Sequence, residues 1–352
     1  MDIIPYLKLM SDKQASDLFV TVGSPIKIKI EGVLSSVGKT VITSELAQAA
    51  AYGIMKDHQI HYFEENFECD FAIAMSDGSA RFRVNVFMQR GEVSIVLRRI
   101  PTEIPTIDQL GLPPVLEDLC LLKRGLILMV GATGAGKSTT LAALIDHRNS
   151  KLAGHILTIE DPIEFSHPNK KSIINQREVG VDTLSYENAL RAALREAPDV
   201  IQVGEIRDRV SMESILQLSN TGHLALTTLH ANNANQAMER VINLFPQPLH
   251  KQLLMDLSLN IRAVVSQRLV TAIEGKRVAA VEVLVNTPHI AELILNGRFD
   301  DLKKAMEESG QRGMQTFDMA LFNLYKEGRI ELEEALNNAD SRTNLEARIN
   351  FG

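Results

Sequence analysis

The stretch GATGAGKST, residues 131–139, fits the pattern GxxxxGK[ST]. It follows the apolar run GLILMVG and opens a helical stretch, which is the context a phosphate-binding loop requires. Glycines let backbone N–H groups turn inward around phosphate oxygens. Thr133, Gly134, Ala135, Gly136 and Thr139 are therefore expected in the cradle, with Lys137 reaching the β- and γ-phosphates and Ser138 contacting Mg²⁺. The positive end of the following helix adds to the attraction. The chemistry implied is phosphoryl transfer from ATP.

Further polar residues stand at the ends of apolar runs. ILTIEDPIEF, 156–165, closes on Glu160, Asp161 and Glu164. Ligands sit at the carboxyl ends of parallel strands, and a carboxylate there can activate the water that attacks a γ-phosphate. PDVIQVGEIRD, 198–208, resembles a Walker B strand in which Gly204 takes the place of the usual terminal Asp and Glu205 follows. Glu205 is expected either to hold Mg²⁺ through water or to polarise the nucleophile, and Asp199 reads as a strand-start residue. TGHLALTTLHANN, 221–233, carries His223 and His230 at the two ends of a strand. Their odd separation turns the side chains to opposite faces roughly 20 Å apart, so one metal ion is not shared between them. His230, at the carboxyl end, is expected to face the nucleotide, and His223 to be structural. Arg83 and Arg98 fall in neighbouring strands; they are either solvent-facing or the arginines that an ATPase borrows from another domain or subunit.

The elements that must position these residues divide the chain. DLFVTVG, IKIKIEG, CDFAIAM, ARFRVNVF and VSIVLRRI alternate with period two, as half-buried strands do, and TSELAQAAAYGIMKDH reads as a helix. Residues 1–100 are thus expected to form an α+β domain on an antiparallel sheet. The proline-rich 101–114 is expected to be a linker. From 115 to 352, the apolar runs GLILMVG, HILTIED, DVIQVGE and HLALTTLH predict a parallel sheet buried on both faces. A hairpin is expected around LVTAIEGKRVAAVEVLV in an otherwise helical remainder. The 352 residues suffice for two cores, and the net charge of −7 argues against a nucleic-acid partner held by bulk charge. Two cysteines without CxxC spacing suggest neither a zinc site nor a disulfide framework, and no signal sequence or membrane span is apparent.

Taken together, GATGAGKST, ILTIEDPIEF, VIQVGE and TGHLALTTLH resemble, in order and spacing, the secretion-type ATPases that power type II secretion and type IV pili. ASDLFVTVGSPIKIKIEG is similar to the PAS-like domain of the shorter, retraction-type members. By the same resemblance, neither the extra N-terminal assembly domain nor the Cys₄ zinc insert of the pilus-assembly or secretion branch is expected. The resemblance implies a PAS-like domain (1–100), a linker (101–114) and a RecA-like ATPase domain with a helical C-terminal region (115–352). It implies ATP and Mg²⁺ as ligands, the metal held by Ser138 and Glu205. It implies Glu164 as the water-activating base, Glu205 as the Walker B carboxylate, His230 near the γ-phosphate, and Arg83 and Arg98 as arginines from the N-terminal domain. It further implies a cytoplasmic homohexamer at the inner-membrane face, with a PilT-like retraction ATPase and the inner-membrane pilus platform protein as partners.

One segment departs from the principal retraction motor. Where that motor carries an AIRNLIRE-type motif, this chain reads HIAELILNG, 289–297, so that Ala291, Leu295 and Asn296 stand in for three charged residues. LHANNANQAMERVINLFP, GMQTFDMALFNLYKEGRI and the ADS tail are more similar to the accessory paralogue. An ATP-hydrolysing motor that assists retraction is the expected function. A nucleotide-bound coupling module acting through a paralogous motor, or the principal motor itself, are the alternatives.

Overall fold

The computed structural model describes residues 1–30, 32–75 and 80–351. Glu31, in the IKIKIEG stretch, and Gly352 lie outside them. The chain divides into two compact units, Met1–Glu103 with Glu164–Ser166, and Ile104–Ile163 with His167–Gly352.

Alternation in the first hundred residues produces one antiparallel sheet. After α1 (Ile4–Asp12) come β1 (Asp17–Thr21), β2 (Pro25–Ile30), β3 (Val33–Val41), α2 (Ser44–Tyr52), α3 (Asp57–Asn66), β4 (Glu68–Ala74), β5 (Arg81–Gln89) and β6 (Glu92–Ile100). The strand order is β3-β2-β1-β6-β5-β4. Leu18, Val20, Ile28, Phe82, Val84, Ile95 and Leu97 line its buried face, in one cluster with Ala47, Ala50 and Ala51 of α2. Strand β3 escaped the sequence pattern because it is exposed along nearly its whole length and is held by ladder hydrogen bonds to β2. The helix expected over 43–58 is two. Its first part ends at Gly53, where an added Cβ would stand only 3.0 Å from the Ala49 carbonyl oxygen, and a new helix starts at Asp57.

The second unit runs α4 (Val115–Cys120), β7 (Gly125–Val130), α5 (Lys137–Lys151), β8 (His155–Glu160), β9 (Ile173–Glu178), α6 (Tyr186–Glu196), β10 (Val200–Val203), α7 (Arg209–Asn220), β11 (Leu224–Leu229) and α8 (Ala234–Asn243). It continues with α9 (His250–Asn260), β12 (Ile261–Thr271), β13 (Arg277–Val285), α10 (Pro288–Leu295), α11 (Leu302–Glu308), α12 (Phe317–Lys326), α13 (Leu332–Asn338) and α14 (Arg342–Phe351). Strands β7, β10 and β11 are buried at every residue, as unalternating apolar runs require when helices cover both faces. The order is β13-β12-β7-β11-β10-β8-β9, parallel throughout except for the β12–β13 hairpin. Strand β9 was not anticipated because its residues, IINQRE, are mostly polar; it pairs at the edge with β8. Parallel pairing delivers the carboxyl ends of β7, β11, β10 and β8 to one edge of the sheet, where the loop 131–136, Glu160, Glu205 and His230 stand. No helix among the described residues is long and apolar enough to cross a membrane.

A buried acid ties β13 to this edge. Glu282 is 2% exposed and accepts hydrogen bonds from the Ala234 backbone N–H (2.8 Å) and the Ser266 hydroxyl (3.1 Å). Burial pushes its pKa up from 4.5 to about 7, against the pull of those bonds. Between these two values the folded chain keeps a proton that the unfolded chain has released, so this group costs stability as pH rises through that window and no more above it. Glu282→Gln is therefore expected to gain up to ~3 kcal/mol relative to the wild type on going from about pH 5 to about pH 8. Denaturant unfolding at both pH values measures it, and a difference independent of pH would refute the titration.

Candidate functional site

At the end of β7 the chain turns through Gly131–Gly136 and enters α5 at Lys137. Two glycines are required by a single neighbour. A Cβ at Gly131 (φ +155) would lie 2.6 Å from the Gln267 backbone oxygen, and one at Gly136 (φ +87) 2.7 Å from the Gln267 side-chain nitrogen. Gln267, on β12, also accepts a 2.8 Å hydrogen bond from the buried Thr140 hydroxyl, so it braces the loop from beneath. The Lys137 ammonium donates to the carbonyls of Gly131 (2.7 Å) and Ala132 (2.9 Å), which folds it back across the loop. Partial burial holds this amine below the ordinary lysine range, while the charge of Glu205 pulls it back up. Ala132, Thr133, Gly134 and Ser138 are exposed.

Glu205 follows β10 and is held from two sides. The Arg207 Nε–H donates to its Oε2 at 3.0 Å, and His230 Nε2 lies 3.0 Å from its Oε1. The second contact requires the imidazole to carry a proton on Nε2. Strand β11, which presents His230, is locked to β10 at this end. The Thr228 hydroxyl donates to the Gly204 carbonyl at 2.6 Å, and the Ile206 N–H to the Thr228 carbonyl at 3.0 Å. His223, seven residues before His230, precedes the same strand. Its Nδ1 lies 3.0 Å from the Leu218 carbonyl oxygen and 3.2 Å from the Thr221 hydroxyl, which makes it an anchor of the turn out of α7. Asp199 has a similar role: its carboxylate accepts the His155 N–H at 2.8 Å where β8 and β10 begin.

A cavity of about 320 Å³ opens over the loop, lined by Gly131–Ala135 together with Asn232, Gln267, Arg268, Leu269, Arg277 and Asn338. A second, of about 240 Å³, shares Gln267, Leu269 and Arg277 and adds Leu110, Leu112, Gly136, Thr139, Ala279 and Arg329. The first is rimmed by backbone amides and basic side chains; the second is mixed, with Leu110, Leu112 and Leu269 beside Arg277, Arg329, Gln109 and Thr140. Arg268 links the first cavity to the C-terminal segment. Its guanidinium donates to Asp340 (2.6 Å) and the Asn338 carbonyl (2.7 Å), and lies 3.9 Å from the centre of the Phe317 ring.

Thus Lys137, Ser138, Glu205 and His230 stand at one sheet edge within the second unit. Thr133–Gly136 and Thr139 lie in the same unit, whereas Arg83, Arg98 and Glu164 belong to the first. Arg83 and Arg98 are directly opposite each other on β5 and β6. Arg98 donates to the buried Asp17 at 2.9 Å, and Arg83 lies 3.9 Å from Asp70. Glu164 is exposed.

Residues 3–292 match the family model of the type II/IV secretion system protein. The chain belongs to that family. This secretion-family chain is 50% identical over 353 residues to the type IV pilus ATPase PilU of Pseudomonas aeruginosa, across 100% of its own length and 92% of the relative's. It is 42% identical over 339 residues to the type IV pilus retraction ATPase PilT of the same organism, across 96% and 98%. The crystal structure of the pilus retraction motor PilT with bound ADP superposes with a TM-score of 0.91 at 41% identity, covering 98% of this chain and 99% of that one. The resemblance carried by the four motifs is borne out, and the two-sheet α/β fold is the one these secretion ATPases share. Gln267, Arg268, Arg277 and Asn338 had no signal in the sequence of this family member. They stand on β12, β13 and α13, far along the chain from the loop they line.

Proposed function

We propose that this chain is a Mg²⁺-dependent ATPase of the PilU type that assists type IV pilus retraction. The observation that carries the reading is the convergence of Lys137, Ser138, Glu205 and His230 at the edge of one parallel sheet, beside a cavity rimmed by loop amides. Exposed amides and Lys137 suit the triphosphate, and the leucines of the neighbouring cavity, Leu110, Leu112 and Leu269, offer apolar surface to a base. Ser138 and Glu205 are hard oxygen donors of the kind that bind Mg²⁺ with waters retained. Bound there, the metal would neutralise charge on the β- and γ-phosphates. Glu205 is oriented by Arg207, and His230 responds to charge on the γ-phosphate through Glu205.

In this reading 1–100 is a PAS-like domain, 101–114 a linker and 115–352 a RecA-like ATPase domain. The strand order with β11 between β7 and β10 supports the last assignment. Glu164 serves as base, and Arg83 and Arg98 supply positive charge to a nucleotide in a homohexamer. The assembly acts from the cytoplasmic face of the inner membrane with a PilT-like motor and the platform protein. A second reading, a coupling module whose own hydrolysis is secondary, draws support from α10. Ala291, Leu295 and Asn296 lie outside its buried stripe of Ile290, Leu293 and Ile294, where charged residues would be free to meet a partner.

The purified chain is expected to hydrolyse ATP only with Mg²⁺. Glu205→Gln is expected to cut turnover about 10²–10³-fold while ATP still binds. Turnover unaffected by Glu205→Gln would refute the site. Pilus retraction that survives Glu205→Gln in cells with an intact PilT-like motor, but not deletion of this chain, would favour the coupling module.

A further inference from the structure

Gly204 departs from the usual terminal Asp of a Walker B strand, and the structure supplies a steric reason. An added Cβ there would lie 2.9 Å from the Tyr186 hydroxyl oxygen, with the Glu160 Cα at 3.4 Å and the Ile159 carbonyl oxygen at 3.5 Å. The hydroxyl of Tyr186 therefore occupies the space that a side chain at 204 would enter, between the carboxyl ends of β8 and β10. Tyr186 is the first residue of α6, whose start is set by Ser185: its hydroxyl accepts the Asn188 N–H at 3.1 Å. The ring is half-buried and packs against the main core, so the hydroxyl is delivered to this point on a rigid support.

The charges that act on this hydroxyl are those of the acidic motif and the Walker B end: Asp161, Arg207, Glu160 and Glu205. Burial, then the nearby carboxylates, drive the phenol well above the ordinary tyrosine range against the opposing pull of Arg207. It stays protonated under all working conditions and serves as a neutral donor. Where the usual strand-end Asp would add a negative charge to a crowded acidic edge, this chain places an O–H. Glu160 is already occupied below, accepting the Thr158 hydroxyl at 2.6 Å and the Gln176 amide at 3.3 Å.

We propose that Tyr186 is a positioning residue of the ATP site, its hydroxyl standing over Gly204 in place of a Walker B side chain and ordering Glu205 and the attacking water. The assignment rests on the ATPase reading above.

The test is Tyr186→Phe, which keeps the ring and its packing and deletes the hydroxyl alone. Expected are a fall in kcat of about tenfold and a KM for ATP within about twofold of wild type. A packing role alone leaves kcat unchanged. Gly204→Ala provides a second measurement. Its loss of activity in the wild type is expected to be relieved in the Tyr186→Phe background, because the atom it collides with is gone. Wild-type turnover with Tyr186→Phe equally active would overturn the role of Tyr186 and leave the ATPase reading intact. Absence of Mg²⁺-dependent turnover in the wild type itself would overturn both.

Discussion

Lys137→Ala is expected to lower ATP turnover by at least about 10²–10³-fold, the scale of losing one charged stabiliser of a phosphoryl-transfer transition state. The amine stands where the loop of β7 meets α5, already drawn partly out of water. Its hydrogen-bond partners are two loop carbonyls, of Gly131 and Ala132. Removing it is therefore expected to change the stability of the free protein by no more than about 1 kcal/mol, while weakening nucleotide binding. Steady-state hydrolysis, nucleotide titration and thermal unfolding on one preparation separate these effects. Turnover above about a tenth of wild type would show that Lys137 does not face the reacting phosphate.

Gly131→Ala is expected to cost about 3–5 kcal/mol of stability, or roughly 10 °C in the unfolding temperature. The added methyl meets the Gln267 backbone oxygen at 2.6 Å, and that oxygen belongs to β12, a strand paired to β7 along its length. Neither can retreat without breaking the ladder. Gly134→Ala is the internal control. Its φ of +78, near the left-handed basin, is also unfavourable for alanine, but nothing lies within 4 Å, so only the conformational strain of about 1–2 kcal/mol remains. Equal losses from the two substitutions would mean that β12 does not press on the loop.

The phosphate loop, Glu205 and His230 were legible without a structure because their chemistry is written in contiguous residues. Each follows an apolar run that can only be a buried strand, and parallel strands bring their carboxyl ends to one edge. A structural place for His223 was legible for a related reason, since strand parity separated it from His230; that it anchors the turn out of α7 came from the structure. Strands β3 and β9 were not legible, because they are held by ladder hydrogen bonds to a neighbour rather than by an apolar face. Arg98 illustrates the limit at single residues. Strand position left it open to solvent or to a nucleotide, and only the fold supplies Asp17, distant by 81 residues, as its ion-pair partner.

The amino-acid sequence by itself determined the family, the phosphate-binding chemistry and the strands that carry it, since local patterns and short motifs depend only on near neighbours. Tertiary structure alone decided what surrounds that chemistry. The Thr140–Gln267 bond spans 127 residues, Arg268 reaches 72 residues ahead to Asp340, and the Tyr186 hydroxyl takes the place of a side chain at Gly204. Such contacts depend on which strands become neighbours and on where the close-packed interior leaves no room, and neither leaves a mark at fixed spacing along the chain.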